Sequence, residues 1–507
     1  MIDTDALLAA LPARLSDIVR RGAAHAPDAP ALREGAHGWT YAQLAQAVDA
    51  QAALLRQLGV RAGDRVMVIG ENCMALVALI FAAADIDAWS VTVNARLSAA
   101  EIDTIRRHCG ARRVLYTAAA SPEAAAHAAR DGASAHGEWM VGPLNTACQP
   151  EPVAGSNQQV AALIYTTGTT GDPKAVMLTH RNLLFIAAVS SRLRGLVASD
   201  VAYGVLPISH VYGLASVMLG TLTAGACLQL VPRFSATALL DTLRADTLTV
   251  LQGVPAMYAR LLEIAGPGAR LATRLRFAYA GGSPLDPALK QQVEQLLGLP
   301  LHNGYGMTES SPTISQTDLA APRSDTSVGA PIPGVAVRLV DAHGADVAQG
   351  EPGELWVRGP NVMMGYYKAP ALTAAAMRPG GWLNTGDMAR QDADGALFIV
   401  GRTKELIIRS GFNVYPLEVE TVLNAHPSVT QSAVVGRAVA GGNEEVVAFV
   451  EIDARAPVGV DALRDYLAAR LSPYKCPSEI VIMAALPAAA TGKILKGQLR
   501  MLAQKTS

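Results

Sequence analysis

Cysteine is scarce in this sequence. The five residues, Cys73, Cys109, Cys148, Cys227 and Cys476, are scattered with no CxxC pair, so spacing suggests neither a disulfide framework nor a zinc site. No charge of one sign dominates. Lys and Arg number 42 against 43 Asp and Glu, a formal net charge of −1, and no basic run stands out. The electrostatic footprint of a nucleic-acid-binding protein is therefore lacking. Long apolar runs are lacking too. The longest, Cys73 to Ala84, ends at Asp85, well short of the roughly 20 apolar residues that cross a bilayer. The start, "MIDTDALLAALPARLSD", has early acids where a signal peptide would have basic residues. Together these absences predict a soluble, cytoplasmic protein with no membrane span and no nucleic acid as partner, and they leave a homodimer or a monomer open.

What is present points to more than one core. A chain of 507 residues, half of them hydrophobic, exceeds what one core organises, so at least two domains are expected. "TYAQLAQAVDAQAALLRQLG" has helical spacing, with Thr40 as an N-cap and Gly59 as a stop. "DRVMVIG" reads as a buried strand, and the Ala-rich stretch 118–135 as a surface helix plus loop. Further on the alternation is regular: strand "AYGVL", helix "VYGLASVMLGTL", strand "CLQLV", helix "ATALLDTLRA", strand "LTVLQ" and helix "AMYARLLEIA" with Pro255 at N1. Strand "LRFAYA", helix "PALKQQVEQLLG" and short strand "PLHN" complete the run. The expectation is an α/β large domain with mixed, largely parallel sheets covered by helices, in which ligands sit at strand ends. From Thr326 to Ile399 short strands with Gly-Pro turns predict a small β-rich section. The last hundred residues read as a small α+β domain. The boundary is expected near "IVGRTKELI", giving residues 1–401 and 402–507.

The stretch "IYTTGTTGDPK" (Ile164 to Lys174) is a poor helix and a poor strand, and lies between strands "AALIY" and "AVML". A Walker A loop needs GxxxxGK[ST] opening a helix; here Lys174 follows Pro173, and the next helix is capped only at Thr179. Glycines let backbone N–H groups converge on an anion, while hydroxyls add donors and Lys174 adds charge. By its own composition the stretch is either a phosphate loop or a mobile surface loop.

"YTTGTTGDPKAVMLTH" resembles the phosphate loop of the adenylate-forming enzymes, the superfamily of acyl-CoA synthetases, 4-coumarate–CoA ligases, luciferases and peptide-synthetase adenylation domains. "LPISHVYGLAS", "YAGGSPL", "GYGMTES", "GELWVRGPNVMMGYY", "GWLNTGDMARQDADGALFIVGRTKELIIRSGFNVYPLEVE" and "PAAATGKILKGQLR" follow in that family's order. The resemblance implies that Thr166, Thr167, Gly168, Thr169, Thr170 and Lys174 grip the pyrophosphate end of ATP, and that Gly281, Gly282, Ser283, Asn303, Gly304 and Gly306 shape the nucleotide site. It further implies that Tyr305 stacks on adenine, Thr308 contacts the α-phosphate, Glu309 holds Mg²⁺, Asp387 binds the ribose and Arg402 lies near ribose and phosphate. Lys493, rather than Lys496 about one turn on, is implied as the lysine that bridges the acid's carboxylate and the α-phosphate.

By the same resemblance His210 stands near the carboxylate entry, and Val211, Tyr212 and Ser216 line the acyl pocket. Tyr212 occupies the place where amino-acid-activating relatives keep an aspartate, which disfavours a free amino acid. Lys404 matches the hinge of the small domain, Gly411 the glycine beside the pantetheine path, and Arg233 a basic position that meets the phosphates of coenzyme A. Taken singly, a turn Asp, a surface Arg or a C-terminal Lys is ordinarily solvated, and a lone His ordinarily packs in a core. Two departures from the pattern stand out. Ile408 and Ser410 replace lysines of the coumarate-ligase relatives, and Ala175 replaces a glycine.

The implied activity is an ATP- and Mg²⁺-dependent acid–CoA ligase acting through acyl-AMP on a medium- or long-chain fatty acid, with arylacrylic acids close behind. Three rivals stand beside it: an adenylating enzyme that loads a carrier protein, a non-catalytic nucleotide-binding protein, and a phosphoryl-transferring NTPase.

Overall fold

The computed structural model describes residues 2–167, 173–409, 412–439, 443–453, 456–488 and 494–505. By packing the chain divides into two units, one of Met1–Leu285 with Gln291–Ala336 and Val357–Leu383, the other of Asp286–Lys290 with Val337–Trp356 and Asn384–Ser507. Such a division groups residues by contact in one conformation, whereas a boundary of motion is set by the backbone that turns.

The first unit contains two sheets. In one, six parallel strands run in the order Leu301–Gly306, Phe277–Ala280, Val250–Gly253, Val201–Gly204, Cys227–Leu230 and Pro30–Glu34, flanked by antiparallel Thr313–Gln316 and Ala330–Pro331 at one edge and His37–Thr40 at the other. The predicted alternation of strand and helix produces this order, since a parallel neighbour requires a crossover. The strand read as "PLHN" runs on through Tyr305 to Gly306. The second sheet runs Gly365–Tyr366, Pro173–Thr179, Val160–Thr167, Trp89–Asn94, Arg65–Gly70, Arg113–Tyr116, Trp139–Val141, Ser134–His136. Thr40 caps helix Tyr41–Gln57 in a capping box with Gln43, and Thr179 caps His180–Leu193 in one with Asn182. The apolar run after Cys73 is helix Met74–Asp85, buried from Leu76 to Ala84; apolar all round, it is a core helix. Among the described residues no helix is long and apolar enough to cross a membrane.

One segment differs in kind from its expectation. "YGLASVML" is helical, but Tyr212–Leu219 is a π-helix that continues into α-helix Gly220–Thr223. Wider i→i+5 turns are uncommon and concentrate at functional sites.

Most of a small third sheet, including Gly353–Arg358, Trp382–Gln391 and Leu397–Arg402, belongs to the second unit. Its α+β part has strands Val429–Val439, Asn443–Ile452 and Glu479–Met483 in that order. Side chains of a strand alternate between faces, so Val446, Ala448 and Val450 pack with Val419, Leu423, Leu463 and Leu467 of helices Pro416–Asn424 and Val460–Ala468. Val447 and Phe449 meet Leu499 and Ala503 of the terminal helix Lys496–Lys505.

Candidate active site

Strands Val160–Thr167 and Pro173–Thr179 pair antiparallel, with Thr166 opposite Lys174 and Thr167 opposite Pro173. Gly168, Thr169 and Thr170 lie outside the described residues. The outgoing strand carries a short edge strand, Gly365–Tyr366, with Tyr366 opposite Val176. Backbone bonds from Met364 N to the Met177 carbonyl (3.1 Å) and from Tyr367 N to the Ala175 carbonyl (2.8 Å) extend the pairing. This edge places Tyr366 over two sequence-distant groups. Its ring centroid is 5.6 Å from Lys174 Nζ, within cation–π range, and its Oη donates to Glu309 Oε1 at 2.7 Å. Met363 N–H donates to the Glu309 carbonyl at 2.9 Å, so backbone and carboxylate are both held. Burial first, and then the Glu309 charge, push the Tyr366 phenol well above its ordinary pKa, which keeps it a donor.

Glu309 is buried, and no described residue bonds its Oε2. The described residues contain no group of three or more His, Cys, Asp or Glu that could cage a metal. Mg²⁺ keeps most of its waters and needs only one or two carboxylates when phosphates supply the rest. A single fixed carboxylate with one open oxygen fits a Mg²⁺ that arrives with a nucleotide.

The carboxyl ends of the parallel strands lie on the same unit. Tyr305 ends Leu301–Gly306, and Thr308 opens the short 3-10 helix Thr308–Ser310. Asn303 is buried, its Nδ2 on the carbonyls of Thr326 (3.1 Å) and Ser327 (3.2 Å) and its Oδ1 on Gly304 N–H (3.0 Å). Its amide therefore anchors the strand end. Gly281 lies under the Tyr212 ring, where a Cβ would sit 3.3 Å from a ring carbon. Gly282 turns the chain at φ +83° and is exposed together with Ser283. His210 is exposed, and desolvation by the chain around it lowers its pKa. Val211 is buried, and Ser216 is fully buried with Oγ 3.3 Å from Thr313 Oγ1. Tyr212 Oη is buried with no hydrogen-bond partner among the described residues. Arg233 is paired with Glu71 (2.9 Å) and with Glu123, so meeting a phosphate requires it to leave both.

In the second unit Asp387 faces Arg402 across antiparallel strands, with Arg402 Nε 3.5 Å from Asp387 Oδ1. Thr385 Oγ1 donates to the Leu355 carbonyl (2.7 Å) and accepts from Asp387 N–H (3.1 Å). Lys404 is exposed on the turn Thr403–Glu405. Lys496 is committed: its Nζ lies 2.9 Å from Glu405 and 2.8 Å from Glu420. Burial pushes its pKa down, but the two carboxylates outweigh this and raise it. Gly411 and Lys493 lie outside the described residues.

Two features went unread in the sequence. Tyr366 lies within the motif "GELWVRGPNVMMGYY" but had no role. Arg194, 2% exposed, stands at the C-cap of His180–Leu193, where a basic residue ordinarily serves the helix dipole in solvent.

Residues 19–367 match the family model described as AMP-binding enzyme, and residues 418–493 that of the AMP-binding enzyme C-terminal domain. A feruloyl-CoA synthase of Amycolatopsis sp is 36% identical over 487 residues, covering 95% of this chain and 97% of its own. A 4-coumarate–CoA ligase of Oryza sativa subsp. japonica is 32% identical, covering 94% and 90%. The structure of O-succinylbenzoate coenzyme A synthetase from Bacillus subtilis, in complex with ATP and magnesium ion, superposes with a TM-score of 0.82 at 28% identity, over 95% of this chain and 98% of that one.

Proposed function

The chain belongs to the AMP-binding enzyme family, and on that premise we propose that it is an AMP-forming acid–CoA ligase that uses ATP, Mg²⁺ and coenzyme A. The observation that carries the reading is the meeting of Lys174, Tyr366 and Glu309, from three separate motifs, beside the strand ends that bear Tyr305 and Thr308. A cation, an aromatic donor and a half-open carboxylate are what a metal-bound polyphosphate requires around it.

In the first step the acid's carboxylate attacks the α-phosphorus of ATP in line, and pyrophosphate leaves. Mg²⁺, when bound with the nucleotide, offsets the charge of the departing pyrophosphate. Glu309 would hold that ion, and Lys174 with Thr166 and Thr167 holds the β- and γ-phosphates, joined by Gly168, Thr169 and Thr170. Tyr305 covers the adenine, Thr308 meets the α-phosphate, and Asp387 accepts from the ribose hydroxyls with Arg402 beside it. Lys493 supplies a positive charge as two anions come together, where a fixed cation is worth most. His210 stands at the carboxylate entry. In the second step the domain of residues 402–507 turns about Lys404, and the thiol of coenzyme A, passing Gly411, displaces AMP. The interval between the two family-model matches, 368–417, contains Lys404 and supports a boundary there. Catalysis is by positioning and electrostatics, with no side-chain nucleophile.

Relatives named for feruloyl-CoA and 4-coumarate favour an acid with an aromatic ring over a fatty acid, received beside Val211, Tyr212 and Ser216. Free coenzyme A, which those names carry, is the acceptor rather than a carrier protein. The reading places the protein in the cytoplasm, in keeping with five free cysteines. The test is pyrophosphate and AMP release by the purified chain across a panel of acids. Acid-dependent pyrophosphate release, with thioester only when coenzyme A is added, is expected; ADP as the product would overturn the proposal.

A further inference from the structure

Arg194 presents a charge that no described residue counters. Among the described residues its guanidinium forms no ion pair, although it is 2% exposed. Nη1 donates to Gln252 Oε1 at 2.6 Å and makes a long contact of 3.5 Å to the Ser216 carbonyl. The guanidinium carbon stands 4.5 Å from the Tyr279 ring centroid. Among the described residues Nε has no partner, and neither do Gln252 Nε2 and Tyr212 Oη, all of them buried; Tyr279 Oη, beside Arg194, makes no hydrogen bond of good geometry there.

Buried polar groups are nearly always bonded, and a buried charge is costly unless it is paired. Several unmet groups in one place therefore ask for a common partner. The kind of partner follows from the inventory. Gln252 Oε1 already accepts from Arg194, and the hydrogens on Arg194 Nε, Gln252 Nε2 and Tyr212 Oη remain to be donated. Three donors around a cation select an oxygen acceptor.

The cluster sits where a ligand of this fold belongs. Gln252 is next to the last residue of Val250–Gly253, and the Tyr212 ring lies on Gly281, just past Phe277–Ala280. Open α/β sheets bind ligands outside these carboxyl ends. Ser216 joins the cluster to Thr313, a few residues beyond Glu309.

We propose that the acid carries an oxygen acceptor at the end remote from the activated carboxylate, and that Arg194, with Gln252 and Tyr212, receives it. This rests on the ligase reading above and makes Arg194 a specificity determinant. The acceptor is a second carboxylate or a phenolic oxygen. An acid ending in a methyl group or a bare ring leaves the donors unpaired, a penalty that polar sites use to reject such analogues.

The experiment compares cinnamic, 4-hydroxycinnamic, 4-carboxycinnamic and decanoic acids by kcat/KM for pyrophosphate release, on the full chain and on Arg194→Met and Arg194→Lys. The wild type is expected to prefer one of the two oxygen-bearing acids over cinnamic and decanoic acids by about 30-fold or more, and the better of the two identifies the oxygen. Arg194→Met is expected to collapse that ratio, with the loss falling mainly on the preferred acid, and Arg194→Lys to retain part of it. Equal turnover of all four acids by the wild type overturns the proposal even if no variant folds. An equal loss on every acid in a well-folded Arg194→Met overturns it as well, since that is a structural role. Pyrophosphate release with no acid at all would instead defeat the ligase reading, and this proposal with it.

Discussion

Tyr366 Oη donates to Glu309 Oε1 at 2.7 Å, which leaves one oxygen of a buried carboxylate open in a defined direction. Partners behind a metal ligand typically change metal affinity by about 10- to 100-fold when removed. Tyr366→Phe is therefore expected to raise the Mg²⁺ concentration for half-maximal pyrophosphate release by about tenfold, in a protein that melts like the wild type. An unchanged Mg²⁺ dependence would show that the phenol does not orient the carboxylate.

Glu309→Gln should act on the same quantity, because a neutral amide is a poor ligand for a hard cation. Its effect and that of Tyr366→Phe should not add, since both pass through one carboxylate. The double variant is expected to need no more Mg²⁺ than Glu309→Gln alone. Full additivity would separate the two residues.

Lys493 and Lys496 should part under mutation. Lys496 is held between Glu405 and Glu420, which supports Lys493 as the lysine that serves adenylation. Lys493→Ala is expected to abolish acyl-AMP formation while sparing thioester formation from supplied acyl-AMP, each half-reaction being measured separately. Equal loss in both would contradict the assignment.

Lys496→Met should instead cost stability, up to about 3 kcal/mol for a partly exposed pair left with uncompensated carboxylates. The pH dependence follows from the two shifts. Lys496 is raised in the folded state by Glu420 and Glu405 against the opposing effect of burial. Its contribution is complete below the unfolded lysine value of about 10.4 and lost as pH rises through the folded value. Burial pushes Glu405 up, but Lys496 outweighs this and the net shift is downward. Its contribution is complete above the unfolded glutamate value of about 4.3 and lost as pH falls through the folded value. The gap between wild type and Lys496→Met in denaturant midpoint is thus expected to be widest near neutral pH and to shrink at both ends. A gap independent of pH would mean that packing, not charge, holds the helix.

Lys404→Pro addresses the turn between half-reactions. Proline fixes φ near −65° and removes the N–H, while hinges absorb large φ/ψ changes at a few residues. The variant is expected to form acyl-AMP near the wild-type rate and to lose thioester formation by orders of magnitude. Thioester formation at the wild-type rate in a well-folded variant would put the hinge elsewhere.

Much of the fold follows from local signals. Thr40 and Thr179 each precede a helix with an amide residue three positions on, and both form capping boxes because the bonds lie within one turn of chain. The alternation from Val201 to Gly306 became a parallel sheet because each strand is followed by a helix long enough to cross over. Motif order nominates Glu309, Asp387 and Arg402 for the site, because it records positions along the chain. Four features were not legible: that Tyr366 reaches Glu309, that Lys496 is already paired, that Tyr212–Leu219 winds as a π-helix, and that Arg194 is buried. Arg194 is the sharpest case. In sequence it is a basic residue ending a helix, as common in solvent as anywhere. Only the packing of that helix end against Gln252, Ser216 and Tyr279 removes it from water. Periodicity and caps are set by residues within a few positions of each other. The burial of a charge is set by whatever the rest of the chain brings to it.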